Sequence, residues 1–240
     1  MFDLPQPKLH VLESTFHRIG PRLGEHVRGH IHTDHPAGTP RQGYPIEIQA
    51  LWYAALCFLS KTDSAGNAKD WQDLARQVQA SILKYFWQPD LGYLSDCLHT
   101  APGQPAEDAT ADDALRPNQL FAITLGAIKE PQKCEQILAA CQELLVPGAI
   151  RSLADRPLRY GLEIHHHGKL VNDPYHPYQG RYTGDEDIRR KPAYHNGTAW
   201  TWLFPSFCEA WAMTYGEESI ETALSWLTSS ARLIESGCLG

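Results

Sequence analysis

Apolar residues spaced three and four apart restrict this chain to a mainly helical fold. After Pro45 they occur at Ile48, Leu51, Trp52, Ala55, Leu56 and Leu59. This spacing indicates one face of an amphipathic helix, and Pro45 stands at its first turn, where the missing backbone N–H does no harm. No run of alternating apolar and polar residues predicts an extended sheet.

Three more helices are predicted in the middle of the chain. The first runs from about Asp70 to Phe86 and ends at the breaker residues of 88–92. The next covers 117–128 and is apolar nearly all round, so it should be buried on most sides. A further helix begins at Pro131, with an inner stripe of apolar residues up to Leu145.

The last third of the chain begins with a long irregular segment. Residues 146–194 show little periodicity, and loops of this length inside a compact domain are usually functional. A final pair of helices is predicted at about 197–215 and 217–236, joined around Gly216.

The predicted fold class is therefore all-α, with short strands only near 92–95 and 150–153. About three helical hairpins alternate between more buried and more amphipathic members, which fits the concentric layers of an α/α toroid better than a four-helix bundle. Three hairpins are half of a six-hairpin ring, so we expect an incomplete ring. We assign 29–240 to this partial domain and leave 1–28 unassigned.

Charge and composition argue against several kinds of partner. The net charge is −7, and the basic run 189–191 follows the acidic run 185–187 after a single residue, so no nucleic-acid partner is expected. No run approaches the roughly 18 apolar residues that span a bilayer, and Met1–Pro7 does not resemble a secretory signal. We expect a cytoplasmic protein with reduced cysteines and no membrane partner.

Aromatic residues suggest a more specific ligand. The seven Trp and ten Tyr residues cluster beside polar residues, for example at 51–53, 175–178 and 200–202. Aromatic rings stack on the C–H faces of sugars, so these clusters suit a carbohydrate cleft. The alternative is that they fill a core.

Polar residues stand against apolar helices at three loop-to-helix junctions, 38–53, 112–119 and 191–202. The first turn of a helix has free backbone N–H groups, and its dipole favours oxygen-rich ligands. If the helices are neighbours in an inner ring, the three junctions meet at one mouth. The alternative is that each polar residue only caps its own helix or neutralises a neighbour, as Asp112 or Asp113 would neutralise Arg116.

These junctions resemble the motifs of the amylo-α-1,6-glucosidase domain of glycogen debranching enzymes. Tyr44–Tyr53 (YPIEIQALWY) is similar to the family motif in which a Glu precedes an Ala-Leu-Trp-Tyr helix. Leu115–Gln119 (LRPNQ) and Tyr194–Trp202 (YHNGTAWTW) resemble the second and third motifs, and Gly180–Asp185 (GRYTGD) precedes the third as expected. The order and approximate spacing agree over roughly residues 30 to 240.

The resemblance implies an (α/α)6 toroid that hydrolyses α-1,6-linked glucose stubs of glycogen, limit dextrin or a related α-glucan, without a metal or nucleotide cofactor. Hydrolysis with inversion needs a general acid and a general base roughly 6.5–9.5 Å apart. In full-length relatives the proposed acid precedes the motif that contains Glu47, and the proposed base follows the position of Gly240. We therefore expect both carboxylates to lie outside this chain, and the missing remainder of the domain to be a partner.

The resemblance also implies ten sugar-binding residues, none of them catalytic. They share a polar or aromatic side chain in or near the motifs: Glu47, Trp52, Asp96, Asp113, Arg116, Asn118, Tyr194, His195, Asn196 and Trp200. The arginine and the amides offer donors to sugar hydroxyls, the carboxylates accept from them, and the tryptophans offer faces for stacking.

Three alternatives remain open. Metal binding is suggested by His165–His167, His30, His32 and His35, but consecutive histidines cannot all point the same way and thiolate partners at metal-like spacing are absent. A catalytically inactive carbohydrate-binding fragment, or a truncated gene product, would explain the absent carboxylates. A glucoamylase or trehalase relative would share the toroid, although the LRPNQ and HNG motifs argue against it.

Overall fold

The computed structural model describes residues 29–31 and 38–236, with the backbone alone at 29–31, 187 and 234. Segment 1–28, His32 and His35 lie outside the described residues. Seven α-helices form in the described part of the chain. They are α1 (Ile46–Thr62), α2 (Ala68–Tyr85), α3 (Leu120–Thr124), α4 (Pro131–Cys141), α5 (Lys191–His195), α6 (Phe204–Tyr215) and α7 (Ile220–Glu235).

Helix α1 begins where the sequence predicts, but a different face is buried. Ile46, Ala50, Tyr53 and Leu56 face the core, whereas the predicted inward residue Leu51 is 51% exposed. The prediction of the face was wrong for most of its residues because α1 is apolar on both sides. Spacing alone could not determine which side packs against α2.

The other helices follow the prediction with two shifts at their starts or ends. The 117–128 helix is a 3₁₀ turn, Pro117–Gln119, followed by the short α3, and the chain turns at Gly126, where φ is +76°. Helix α6 begins at Phe204 rather than near Gly197, because Ala199–Trp200 forms strand β11 instead. Helices α2, α4 and α7 lie close to their predicted positions.

Eleven short strands in the described residues correct the all-α prediction. They are β1 (Gly29–Ile31), β2 (Arg41–Pro45), β3 (Trp87–Gln88), β4 (Tyr93–Leu94), β5 (Cys97–His99), β6 (Thr110–Ala111), β7 (Leu145–Val146), β8 (Ala149–Arg151), β9 (His165–His166), β10 (Lys169–Leu170) and β11 (Ala199–Trp200). Strands β4 and β8 were predicted. The others are two to five residues long, too short to show an alternating pattern in the sequence.

Two antiparallel sheets position the first and third motifs. One has the order β1-β2-β5-β6, with Tyr44 opposite Leu98 and Pro45 opposite Cys97. The other has the order β11-β8-β7, with Trp200 opposite Ile150. Since β2 leads directly into α1, the first sheet brings the start of α1 beside Asp96.

One large apolar core joins the helices. Fully buried side chains from α2, α3, α4 and α6 meet in it, among them Ile82, Leu120, Ile137 and Phe207. A smaller cluster of Ala114, Leu153, Leu158 and Leu162 lies under the long segment after β8. The helices pack in pairs, α1 with α2 and α6 with α7. None of the described helices is both long enough and apolar enough to cross a bilayer.

The observed face of α1 predicts a contrast between two leucines of that helix. Leu56→Ala removes a fully buried side chain and should lower the free energy of unfolding by about 2–5 kcal/mol. Leu51→Ala is the matched control and should change it by less than about 0.5 kcal/mol. Urea unfolding monitored by circular dichroism measures both. A larger loss for Leu51→Ala would mean that the opposite face packs against the core.

Candidate functional site

Asp96 lies where the first two junctions meet. Its backbone oxygen accepts a hydrogen bond from Ile46 N (3.0 Å), the first residue of α1. Its carboxylate is 2% exposed. Oδ2 lies 2.8 Å from Arg41 Nε, and Arg41 Nη2 donates to Oδ1 at 3.1 Å. The same guanidinium binds both Glu47 oxygens, at 2.5 and 2.6 Å, so Arg41 joins the start of α1 to Asp96.

Arg116 connects Asp96 to the third junction. Its Nε lies 3.4 Å from Asp96 Oδ2. Its Nη1 donates to Ser152 O (3.1 Å) and to His195 O, and its Nη2 donates to Asn196 Oδ1 at 2.7 Å. This guanidinium is 5% exposed, and acceptors from three separate segments occupy most of its N–H groups.

The amide of Asn196 completes these connections. Its Nδ2 donates to Gly38 O (2.9 Å) and Pro192 O (2.8 Å), and Thr39 Oγ1 donates to its Oδ1 at 2.9 Å. Asn118 Nδ2 donates to Asp96 Oδ1 at 3.1 Å. We call the connected side chains the buried polar network: Arg41, Glu47, Asp96, Arg116, Asn118 and Asn196.

Burial dominates the electrostatics of this network. Desolvation raises the pKa of Asp96 from its ordinary value of 3.8 to about 6, although Arg41 and Arg116 act in the opposite direction. Burial likewise lowers the pKa of Arg116. Burial also acts to lower the pKa of Arg41, but attraction to Asp96 and Glu47 outweighs it, and the net direction is upward. The two arginines differ because Arg41 contacts two carboxylates, whereas Arg116 contacts one and is repelled by Arg41.

Gly197 in the HNG motif has a backbone conformation that favours glycine. Its φ is +143°, and a Cβ atom there would lie 2.7 Å from Tyr178 and 2.9 Å from Gly180 N. Gln179 N donates to Asn196 O at 2.6 Å beside it. The glycine therefore lets the long segment pack directly against Asn196.

A cavity of about 390 Å³ opens beside the network. Its lining residues come from the segment before α5, from α5 itself and from the chain just before β2: Gly38, Tyr182, Glu186, Arg190, Lys191, Tyr194 and His195. Its volume lies near the lower end of the roughly 300–1,000 Å³ found for ligand pockets. It therefore suits a small ligand or the end of a chain.

Two tyrosine rings, Tyr182 and Tyr194, line this cavity, and Trp200 packs against both of them; we call the three rings the aromatic platform. The Tyr194 and Trp200 ring centroids are 4.2 Å apart, and Tyr182 lies 6.1 Å from each. Tyr182 and Tyr194 are 46% and 40% exposed, which is unusual for tyrosines in a packed group.

Hydrogen bonds fix the backbone beneath the platform. Trp200 Nε1 (2.9 Å) and Ser152 Oγ (3.3 Å) both donate to Tyr194 O, and the next carbonyl, that of His195, accepts from Arg116. The platform is thus tied to the buried polar network through two consecutive carbonyl groups.

The predicted sugar-binding residues divide into three groups. Glu47, Asp96, Arg116, Asn118 and Asn196 meet in the buried polar network. Tyr194, His195 and Trp200 lie at or beside the cavity. Trp52 packs against the large core and Asp113 accepts from Arg159 N and Tyr160 N, so neither joins the other groups. Whether these residues bind sugar stays a prediction.

The network also bears on the capping alternative. Glu47 does lie in the first turn of α1. The carboxylate beside Arg116 is that of Asp96, whereas Asp112 accepts from Asp96 N (3.1 Å) and contacts His99 Nε2 (2.8 Å). The junctions are therefore joined to one another, and none of the described side chains caps the start of α1, α5 or α6 with a hydrogen bond.

Sequence reasoning missed several residues of the site. Arg41 was visible in the first junction, but its two carboxylate contacts depend on the pairing of β2 with β5. Glu186 and Arg190 precede Tyr194 by eight and four residues, a helical spacing that could have been found. This spacing was not recognised because the whole of 146–194 was predicted to be irregular.

Two of the histidines that suggested a metal form a separate strand. His165 and His166 form β9, and His165 Nε2 lies 3.7 Å from Glu163. In the described part of the chain, no three His, Cys, Asp or Glu side chains are grouped so that they could hold a metal ion.

Removal of Arg116 should cost far more stability than removal of an exposed arginine. Arg116→Ala leaves Asp96 buried with one ion pair fewer, and we expect a loss of about 3–5 kcal/mol in unfolding free energy. The matched control is Arg159→Ala, because Arg159 pairs with Asp90 at 2.6 Å while both are more than half exposed. Urea unfolding should show almost no change for the control. Equal losses would contradict the account.

The raised pKa of Asp96 predicts a pH-dependent contribution to stability. The protonated carboxyl is favoured in the fold, so its contribution is complete below about pH 4 and is lost as the pH rises through about 6. Asp96→Asn removes this titration. The stability of the natural chain relative to the variant should therefore fall by about 2 kcal/mol between pH 4 and pH 7 in urea unfolding. A difference that grows with pH would show that the ion pairs outweigh desolvation.

Comparison with known proteins identifies a family. A family model described as amylo-alpha-1,6-glucosidase matches residues 29–240, and the chain therefore belongs to that family. No curated protein matches the chain.

Proposed function

We propose that this member of the amylo-α-1,6-glucosidase family binds the α-1,6-linked glucose stub of glycogen or a related α-glucan within a hydrolase domain. The observation that carries the proposal is the pair of exposed tyrosines of the aromatic platform, Tyr182 and Tyr194, which line the cavity and pack on Trp200. An aromatic ring that is exposed and held in place can stack on the C–H face of a sugar. Aromatic residues that only fill a core would be buried.

The two groups of polar residues would have different roles. His195 lines the cavity and would contact sugar hydroxyls, while Tyr194 and Trp200 stack on the ring. Arg116 and Asn196 are buried and hydrogen-bonded to protein groups, so they would act by positioning the backbone of the platform. This arrangement holds binding groups on a rigid support before the ligand arrives.

The buried carboxylates do not suit the chemical step. Inversion needs one carboxylic acid and one carboxylate on opposite sides of the scissile bond, with room for water. Both oxygens of Glu47 accept from Arg41, and Asp96 lies between two arginines. We therefore assign both to positioning, and propose that the acid and the base of an inverting mechanism come from other residues.

The paired helices would belong to an (α/α)6 toroid. Exposed apolar side chains on α1, α6 and α7 support this: Leu51, Phe58, Met213 and Leu224 are all more than half exposed. Neighbouring helices of a closed ring would cover such faces.

A second candidate is a carbohydrate-binding domain without turnover. The neutralisation of both Glu47 and Asp96 by arginines favours it, because binding needs the platform but no free carboxylate. The two candidates share the ligand and differ only in the chemical step.

Binding of a short α-glucan to Trp200→Ala tests the role of the platform. We expect the Kd for isomaltose, measured by calorimetry, to rise about tenfold or more, which is about 1.4 kcal/mol. Trp202→Ala is the control, because Trp202 is 61% exposed but does not belong to the platform. It should stay within twofold of the natural chain.

Glucose release from limit dextrin by the natural chain tests the chemical step. Binding with release supports the hydrolase and would show that its acid and base lie within this chain. Binding without release fits the carbohydrate-binding domain and also a hydrolase whose acid and base lie outside this chain. No binding of isomaltose or limit dextrin would contradict both.

A further inference from the structure

We infer that Glu186 and Arg190 form a hydroxyl-binding subsite that fixes the end of the glucan in the cavity. The inference rests on the proposed function, since it concerns the same cavity. It adds two charged residues to the cavity wall formed by 186–195. On this wall the sequence predicted only Tyr194 and His195 as binding residues.

One helical stripe forms this wall. A turn of π-helix, Glu186–Arg190, leads without a break into α5. The side chains of Glu186, Arg190 and Tyr194 follow at intervals of four and all line the cavity, as do Lys191 and His195. Residues four apart on a helix share a face, so the carboxylate, the guanidinium and the platform ring point to the same space.

The two charged groups are available to a ligand. Arg190 Nη2 donates to Glu186 Oε2 at 3.3 Å, and the side chains are 40% and 67% exposed. An exposed pair of this length contributes little by itself. The pair therefore has unused donor and acceptor capacity beside the cavity.

The chemistry of the pair suits neighbouring hydroxyl groups. Each sugar hydroxyl donates one hydrogen bond and accepts others, so a carboxylate that accepts and a guanidinium that donates can bind two adjacent hydroxyls at once. The tyrosine rings of the platform then contact the C–H face of the same sugar. A hydroxyl-rich glucosyl unit satisfies all three groups.

Gly38 lines the cavity where the chain before β2 meets α5. A Cβ atom there would lie 2.9 Å from Lys191 O and 3.2 Å from His195 Cδ2. The absence of a side chain at Gly38 thus lets the chain before β2 pack directly against α5.

Calorimetric titration with isomaltose tests the subsite. Arg190→Ala and Glu186→Ala should each raise the Kd about five- to tenfold, with thermal unfolding unchanged because both side chains are exposed. Arg189→Ala is the matched control, since Arg189 is adjacent and exposed but does not line the cavity. It should bind like the natural chain.

Discrimination against deoxy sugars gives an independent measurement. A site that hydrogen-bonds a hydroxyl rejects the analogue that lacks it. The natural chain should bind methyl α-glucoside more tightly than at least one of its 2-, 3- and 4-deoxy analogues, and Glu186→Ala should reduce that preference several-fold. If Glu186→Ala and Arg190→Ala both keep the full preference for methyl α-glucoside over its deoxy analogues, the proposed subsite is wrong.

The outcomes separate the two proposals. If Trp200→Ala weakens isomaltose binding while Arg190→Ala and Glu186→Ala do not, the subsite is wrong and the proposed function stands. If the natural chain binds no isomaltose, the proposed function fails and the subsite with it.

Discussion

A guanidinium group buried between three segments determines how this protein is assembled. Arg116 contacts Asp96 on one side and Asn196 on the other, and also donates to the carbonyl of His195. A buried arginine is costly unless its N–H groups are satisfied. The segments that contain Asp96, Arg116 and Asn196 must therefore adopt their positions together. The contacts of Arg116 also hold the ends of the loops between these segments in place. Arg41 extends the same constraint to the start of α1 through Asp96.

This constraint links a stable interior to an exposed surface. The network lies beneath the carbonyl groups of Tyr194 and His195, so the platform above it has little freedom to move. Rigid aromatic faces reduce the entropy lost when a flexible sugar binds. The flanking turn with Glu186 and Arg190 is exposed and weakly paired, so it can adjust to hydroxyl groups. The site thus combines aromatic rings on a hydrogen-bonded support with exposed polar groups, and the proposed glucan binding rests on this arrangement.

Local patterns in the sequence predicted most of the helices. The short strands and the contacts of the buried polar network were missed, because they depend on pairing between segments that are distant in the sequence. Helices such as α2 and α4 follow from periodicity, and the three motifs indicated that the junctions share a site. The sheets could not be predicted, because two-residue strands acquire their identity only from their partners. The roles of Arg41 and Asp96 depend on the β2–β5 register. The buried face of α1 depends on packing against α2, since both sides of that helix are apolar.

A double-mutant cycle between Asp96 and Asn196 tests the central claim that one connected network joins the three motifs. The two side chains lie on opposite sides of Arg116 and, in the part of the chain that the structure describes, form no hydrogen bond with each other. Unfolding free energies of Asp96→Asn, Asn196→Ala and the double variant give the coupling. The account predicts a coupling energy of about 0.5–3 kcal/mol, transmitted through Arg116. Additive effects within about 0.3–0.5 kcal/mol would show that the motifs are stabilised independently, and would contradict it.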